Sequence, residues 1–319
     1  MKRLILLGLA LVLIAGAAAF YAWNGAGPAP KATAVIVPEG GTLRTAAREL
    51  EKSGAVASGD RFYFLARLFG GSGTIRAGEY EVPKHASARE IVALLQSGKT
   101  LQRFVTIPEG MPSILVHEKL MATPLLTGSA PVPAEGAVLP DSYSYQRGES
   151  RAAVLKRMTA AMDKALAELW PKRKPSAVVR TPQEALTLAA IVEKETGVAA
   201  ERRTVAGVYS NRLRIGMPLQ ADPTVIYPVT RGKPLGRRIL RSELQADNGY
   251  NTYARAGLPA GPIANPGRAS IAAVLDPAPT KALYFVAKGD GGHVFAETLA
   301  EHNANVARWY AIRRARGEM

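Results

Sequence analysis

Apolar and polar positions divide the chain into stretches of different periodicity. From Leu4 to Trp23 no charge interrupts an apolar run, and about twenty such residues suffice for a helix to cross a bilayer. Lys2 and Arg3 precede the run and Lys31 is the first charge after it, so the positive-inside bias predicts a cytoplasmic N-terminus with the rest of the chain outside. A cleaved signal peptide is the competing reading, because Ala15 to Ala19 offers small residues to a peptidase. The run continues through Phe20, Tyr21, Ala22 and Trp23, which favours an uncleaved anchor at 1–23. A linker rich in Gly, Ala and Pro follows at 24–33. Ala34 to Gly40 then reads as a strand ending in a turn, and Leu43, Ala46, Ala47 and Leu50 predict a helix over 42–52, stopped by Gly54. A helix over 60–69, a strand over 78–83 and a helix over 87–96 complete a small α/β module at 34–100. Val105-Thr-Ile-Pro-Glu-Gly110 repeats Val35-Ile-Val-Pro-Glu-Gly40, as if two related units each opened with a strand. Glu39 and Glu109, inside those turns, read as helping to cap the helices that follow.

The next region, 101–180, reads as a connection. Thr123 to Glu135 is rich in Pro, Thr and Gly, and Leu139-Pro-Asp-Ser-Tyr143 forms a turn. Val154, Leu155, Met158, Met162, Ala165, Leu166 and Leu169 mark one side of a long helix over 151–170, and a basic linker runs from Lys172 to Arg180. Thr181 can then N-cap a helix with Pro182 in its first turn, Glu184 closing a capping box and Gly197 as a left-handed stop. With Leu188 at 0° and about 100° per residue, Val192, Ala185 and Ile191 form one apolar stripe. Glu195 continues that stripe at about 340°, whereas Glu193 falls near 140° and Lys194 near 240°. Of the three charged residues, only Glu195 is therefore expected to face the interior. Burial raises a carboxyl pKa, and a proton held near neutrality is what a general acid needs. The alternative is a solvated residue in a frayed last turn.

Beyond it, Glu201 to Ile215 reads as a helix stopped by Gly216. Between Met217 and Gly267 regular periodicity disappears, and so long an irregular stretch within a domain points to a binding surface. Its side chains suit a sugar polymer: Asn211, Gln220, Asn251 and Asn265 can share hydrogen bonds with hydroxyl and acetamido groups, and Tyr227, Tyr250 and Tyr253 can lie against pyranose faces. Asp222 and Glu243 are the carboxylates nearest to serving as partners of Glu195. Asp222 also reads as a helix cap beside Pro223, and Glu243 as part of a surface turn. A hairpin over 283–295 and a helix over 299–314 end the chain. The whole is an α+β protein with its catalytic domain at 181–319.

Composition narrows the partners. No cysteine is present, so no disulfide or lipid-modified cysteine supports an exported chain, and its 47% hydrophobic residues must supply the core. The formal net charge of +15 would suggest nucleic acid in a cytosolic protein. Outside a membrane, the acidic partners are phospholipid head groups and anionic wall polymers, so nucleic acid is set aside. No metal ligands and no cofactor motif are assigned.

Ile-Val-Glu-Lys-Glu-Thr (191–196), Asn-Arg-Leu-Arg-Ile-Gly-Met (211–217), Leu-Gln-Ala-Asp-Pro-Thr-Val-Ile-Tyr (219–227), Tyr-Asn-Thr-Tyr (250–253), Gly-Leu-Pro-Ala-Gly-Pro-Ile-Ala-Asn-Pro-Gly (257–267) and Tyr-Phe-Val-Ala with Gly-Gly-His-Val-Phe (284–295) together resemble the endolytic murein transglycosylases, the YceG-like family. With the anchor and Leu139-Pro-Asp-Ser-Tyr143, the resemblance runs over nearly the whole chain. It implies that 34–100 is a LysM-like module and that Glu195, the second Glu of Glu-Lys-Glu-Thr, is catalytic. It also implies cleavage of the MurNAc-β-1,4-GlcNAc bond of peptidoglycan without water, leaving 1,6-anhydro-MurNAc ends and terminating nascent strands. Asn211, Gln220, Asp222, Tyr227, Tyr250, Asn251, Tyr253 and Asn265 are then the expected substrate-binding residues. Peptidoglycan glycan strands are the expected substrate, peptidoglycan synthases the expected partners and the cell inner membrane the expected location. Two other readings stay open: a muramidase pairing Glu195 with Asp222, and a non-catalytic peptidoglycan-binding adaptor.

Overall fold

The structure, a computed structural model, describes residues 2–318. Its elements run α1 (Lys2–Asn24), β1 (Thr33–Val37), α2 (Leu43–Lys52), α3 (Gly59–Phe69), β2 (Gly78–Val82), α4 (Ala88–Ser97), β3 (Arg103–Thr106), α5 (Ser113–Ala122), β4 (Ser142–Tyr145), α6 (Arg151–Leu169), α7 (Pro182–Glu195), α8 (Arg202–Arg214), α9 (Asp222–Thr230), α10 (Arg241–Gln245), α11 (Arg268–Leu275), β5 (Tyr284–Ala287), β6 (His293–Ala296) and α12 (Leu299–Ala315). The strands form two-stranded sheets, β1 with β2, β3 with β4 and β5 with β6, so the fold is mixed α+β with one N-terminal apolar helix. Two compact units result: residues up to Arg103 together with Ser144–Gly148, and Phe104–Tyr143 together with the chain from Glu149.

In the first unit, β1 and β2 are antiparallel with Val35 opposite Tyr80. Val35, Val37, Tyr80 and Val82 point into a core shared with Leu50, Phe62, Ile91 and Leu95, the alternation expected when one sheet face is covered. Hydroxyls of Thr42, Ser58 and Ser87 cap α2, α3 and α4. α1 is long and apolar enough to cross a membrane. The segment after it is less free than the expected linker. Gly27 N–H donates to His85 O (3.0 Å) and His85 N–H to Ala29 O (2.8 Å), while Ala29 and Trp23 are buried. Gly27 is needed there, because a Cβ would run into the Ala86 carbonyl.

The repeated Pro-Glu-Gly turns share a geometry. Gly40 and Gly110 have φ of +71° and +72°, and the residue after each donates to the proline carbonyl, Gly41 to Pro38 at 2.9 Å and Met111 to Pro108 at 3.3 Å. Their glutamates do not cap the next helices as expected. Thr42 Oγ1 caps α2 (3.2 Å), and the Ser113 N–H at the start of α5 donates instead to Glu135 (2.9 Å).

The second unit is built around α7. Thr181 caps it and accepts from Glu184 N–H (3.1 Å), with Pro182 at its start. Glu184 reaches one residue further back than a capping box requires, accepting from Arg180 N–H (2.6 Å). Every residue from Ala185 to Val192 is buried, since α8 and α11 pack against the helix and Met162 and Ala165 of α6 join the same core. The expected single stripe was too narrow: a helix apolar nearly all round is enclosed nearly all round. Val179 belongs to this core too, so packing draws no boundary between the connecting region and 181–319. The helix ends at Thr196, extended at φ −139° and ψ 128°. Gly197 is not left-handed, so the expected glycine stop is replaced by Thr196, whose hydroxyl accepts from Val198 N–H (3.0 Å). Within 217–267, read as wholly irregular, the chain forms α9 and α10. Pro223 in the first turn of α9 and Pro228 inside it disguised a short helix as loop.

Candidate active site

The C-terminal end of α7 delivers Glu195 to a cavity of about 310 Å³ lined also by Tyr209, Arg212, Leu219, Gln220, Asp222, Tyr253, Phe285 and His302. Tyr209 and Arg212, three apart on α8, share one helix face. Tyr209 is 2% exposed, meets Phe285 edge-on at 5.7 Å, and its hydroxyl acts on the Glu195 carboxyl, lowering its pKa. The buried Arg212 guanidinium donates to Leu283 O (2.6 Å), Leu219 O (2.8 Å) and Pro218 O (3.2 Å). One cation thus ties the loop after α8 to the segment entering β5. The loop is held from the other side by buried threonines: Thr252 Oγ1 accepts from Ala221 N–H (3.0 Å) and lies 2.8 Å from Thr224 Oγ1. Gln220, between them, has φ +51°, a conformation costing a non-glycine residue about 1 kcal/mol or more. Its main chain is pinned by a bond to Thr252 O (3.1 Å).

Burial pushes the Glu195 carboxyl up to about 7, and the negative Asp222 adds to the rise, against the Tyr209 hydroxyl and the Arg212 charge. Near neutrality Glu195 can therefore carry a proton to give and, after giving it, a carboxylate to receive one. Burial also raises Tyr209 and Tyr253 above the ordinary phenol value, leaving both as neutral donors. The Tyr253 hydroxyl donates to Asp222 Oδ1 (2.6 Å). On α12, the His302 ring stacks on Tyr284 at 5.1 Å. Its Nδ1 is buried without a hydrogen-bond partner, and burial and then Arg212 lower its pKa, so the imidazole is neutral.

Glu193 differs in kind. Its side chain is only 5% exposed, 3.6 Å from Arg202, and it accepts from Gly267 N–H at 2.8 Å. The expectation that only Glu195 turns inward is thus corrected: both glutamates do, because α7 has hardly any solvent face. Glu193 is spent on an ion pair and a main-chain donor. Arg202 also reaches Glu109 at 3.5 Å. Gly267 sits where a Cβ would strike the Glu109 carboxyl.

The structure brings Gln220, Asp222 and Tyr253 to the cavity with Glu195 and places the other expected sugar-binding residues elsewhere. Asn265 is fully buried, donating to Met111 O (2.9 Å) and Ser113 Oγ (3.1 Å) and accepting from Val138 N–H (2.9 Å). Asn251 donates to the carbonyls of Glu243, Leu244 and Ala246 at 2.8–3.1 Å. Asn211 donates to Thr280 O (2.8 Å) and Ala282 O (3.1 Å). These amides satisfy irregular backbone, which is what buried loops demand. Tyr227 and Tyr250 pack on each other at 4.9 Å against the core around α7. Asp222 is the first residue of α9, not its cap, which is Ala221. Glu243 is structural, paired with Arg237 and bonded to Leu240 N–H (2.7 Å).

Tyr209, Arg212, Phe285 and His302 were missed by the sequence reading. Tyr209 lay within the helix expected over 201–215 with no polar spacing to single it out, and nothing in the last helix marked His302. Among the described residues, no group of three or more His, Cys, Asp or Glu side chains is gathered as a metal site.

Comparison with known proteins covers most of the chain. A family model described as the YceG-like family matches residues 35–308. The chain is 30% identical over 302 residues to an "Endolytic murein transglycosylase" of Bacillus subtilis, covering 84% of this chain and 82% of that protein. It is 29% identical over 326 residues to a protein of the same name from Streptococcus pneumoniae serotype 2, covering 87% of this chain and 58% of the other. A 2.6 Å crystal structure of a yceG-like protein from Listeria monocytogenes is similar with a TM-score of 0.54 and 27% identity, over 86% of this chain and 98% of that one.

Proposed function

The chain belongs to the YceG-like family, and on that footing we propose that it is a lytic transglycosylase that cuts peptidoglycan strands internally, with Glu195 as both acid and base. The observation that carries the assignment is the Glu195 carboxyl lining a polar cavity with its pKa pushed up to about 7. In the first step Glu195 gives its proton to the oxygen joining MurNAc to GlcNAc, and the C1–O bond breaks with its electron pair leaving on that oxygen. The C6 hydroxyl of the same MurNAc then attacks C1 and surrenders its proton to the Glu195 carboxylate. The enzyme is restored, no water is consumed, and the product ends in 1,6-anhydro-MurNAc.

Around that acid, the Tyr209 hydroxyl orients the carboxyl. Arg212 holds the cavity wall and supplies positive charge when Glu195 becomes a carboxylate, while Gln220 offers its amide to sugar groups. His302 contributes a donor: with Nδ1 buried and unpartnered and the ring kept neutral by burial and the Arg212 charge, the favoured tautomer keeps a bare lone pair on Nδ1 and the proton on Nε2, available to a sugar oxygen in the cavity.

A hydrolase reading draws on the same cavity, because Asp222 lines it and could activate water as a second carboxylate. Mass spectrometry of products from purified glycan strands separates the two. A transglycosylase leaves anhydro ends, whereas a muramidase leaves reducing ends one water heavier.

The first unit, with its β1-α2-α3-β2 order and antiparallel strands, is read as a LysM-like module that holds glycan. α1 anchors the chain in the inner membrane with the N-terminus cytoplasmic and both units outside, where synthases deliver nascent strands and cutting ends their growth. A C-terminal tag digested by protease added to spheroplasts supports this topology, and a protected tag with an accessible N-terminus contradicts it.

A further inference from the structure

The anchor does not join the first unit through a free tether. Trp23, at the end of the apolar run, is 7% exposed in that unit's core, and its ring lies 5.7 Å from Phe69 at the end of α3. The segment that follows is stitched to His85. Tyr and Trp at the end of a spanning helix settle at the boundary between lipid and water. Tyr21, 80% exposed two residues before Trp23, marks that boundary, so Phe69 packed on Trp23 lies close to it and α3 leaves the anchor near the height of the head groups.

α3 buries Phe62, Leu65 and Ala66 and turns another face outward. On that face Phe64 is 67% exposed and Leu68 68% exposed, one turn apart on a single stripe, with exposed Arg61 and Arg67 beside them. Single exposed apolar side chains are ordinary on a protein surface. Here the pair lies on the helix whose last residue, Phe69, packs on Trp23 at the end of the anchor, and the cations beside it match anionic lipid.

We propose that α3 is a second membrane contact. It lies along the bilayer that holds α1, with Phe64 and Leu68 inserted among the head groups and Arg61 and Arg67 against lipid phosphates. Aromatic and aliphatic residues between basic ones are the pattern of helices that lie in that interface. The first unit is then held at two points, and its tilt on the membrane is fixed.

The absence of cysteine permits a direct test on the full chain. Phe64→Cys and Leu68→Cys, each the only thiol, are spin-labelled and reconstituted in vesicles of phosphatidylethanolamine and phosphatidylglycerol. Leu13→Cys, within the anchor, supplies the lipid reference. Arg48→Cys, exposed on α2, supplies the water reference. The ratio of oxygen to nickel-chelate accessibility should be several-fold higher at 64 and 68 than at 48, and below that at 13, as head-group depth requires. Water-like ratios at both positions overturn the proposal. Combining Phe64→Cys with Arg61→Glu and Arg67→Glu should bring its ratio down toward that at 48, and an unchanged high ratio overturns the role given to the phosphates.

Discussion

Replacing Glu195 by Gln should change how stability depends on pH, by an amount that follows from the cavity. Burial raises this carboxyl from 4.5 to about 7, so the folded protein holds the proton more tightly than the unfolded chain does. Its contribution to stability is complete below pH 4.5, declines as pH rises toward 7 and is lost above it. At about 1.4 kcal/mol per pH unit, the loss is about 3 kcal/mol, and screening by water in the open cavity reduces it toward about 2 kcal/mol. Gln keeps the shape and has no proton to lose. Urea unfolding of the full chain in detergent micelles, followed by circular dichroism from pH 4 to pH 8.5, measures the difference between the two proteins. Other acids, including Glu135, whose pKa is also raised by burial, titrate alike in both and drop out. The wild type should lose about 2–3 kcal/mol relative to Glu195→Gln as pH rises. Parallel curves, or a wild type that gains on the variant, would refute the burial argument.

Three further outcomes follow from the same geometry. Asn265→Ala should cost about 2–4 kcal/mol, because it strands the buried Val138 N–H and removes the side-chain bonds to Met111 O and Ser113 Oγ; thermal melting checks this, and a loss below about 0.5 kcal/mol would return Asn265 to a ligand-facing role. His302→Phe should raise KM for glycan about tenfold or more while His302→Gln, which can donate from a similar position, recovers most of it; equal effects of the two would remove the donor role. Activity should fall as pH rises past 7, following the loss of the Glu195 proton, and an alkaline limb set only above pH 9 would assign the acid to another group.

Much of the architecture was legible because its signals are local. An uncharged apolar run, hydroxyl caps and helical spacing fix α1 to α4 and α6 to α8 within a residue or two. The site was legible only in part. The wheel selected Glu195, yet its contrast with Glu193 assumed a solvent face that α7 largely lacks, and only packing by α6, α8 and α11 reveals this. Asn251 and Asn265 lie in buried loops outside the cavity, a placement the sequence could not disclose because an amide that satisfies a buried loop and an amide that binds sugar have the same sequence signature. α9 was hidden by its two prolines. His302 and Phe285 reach the cavity from the last helix and hairpin, distant in sequence from Glu195, through contacts that no local spacing encodes.

The central claim is that Glu195, and not the equally inward Glu193, moves the proton. Release of anhydro-ended fragments from purified glycan strands should fall by about a hundredfold to ten-thousandfold in Glu195→Gln, with the fold intact and glycan binding retained. Glu193→Gln, which weakens an ion pair with Arg202 and the contact to Gly267, should lose far less once its folding is matched by circular dichroism. An active Glu195→Gln beside a folded but inactive Glu193→Gln would contradict the account and move the chemistry to Glu193.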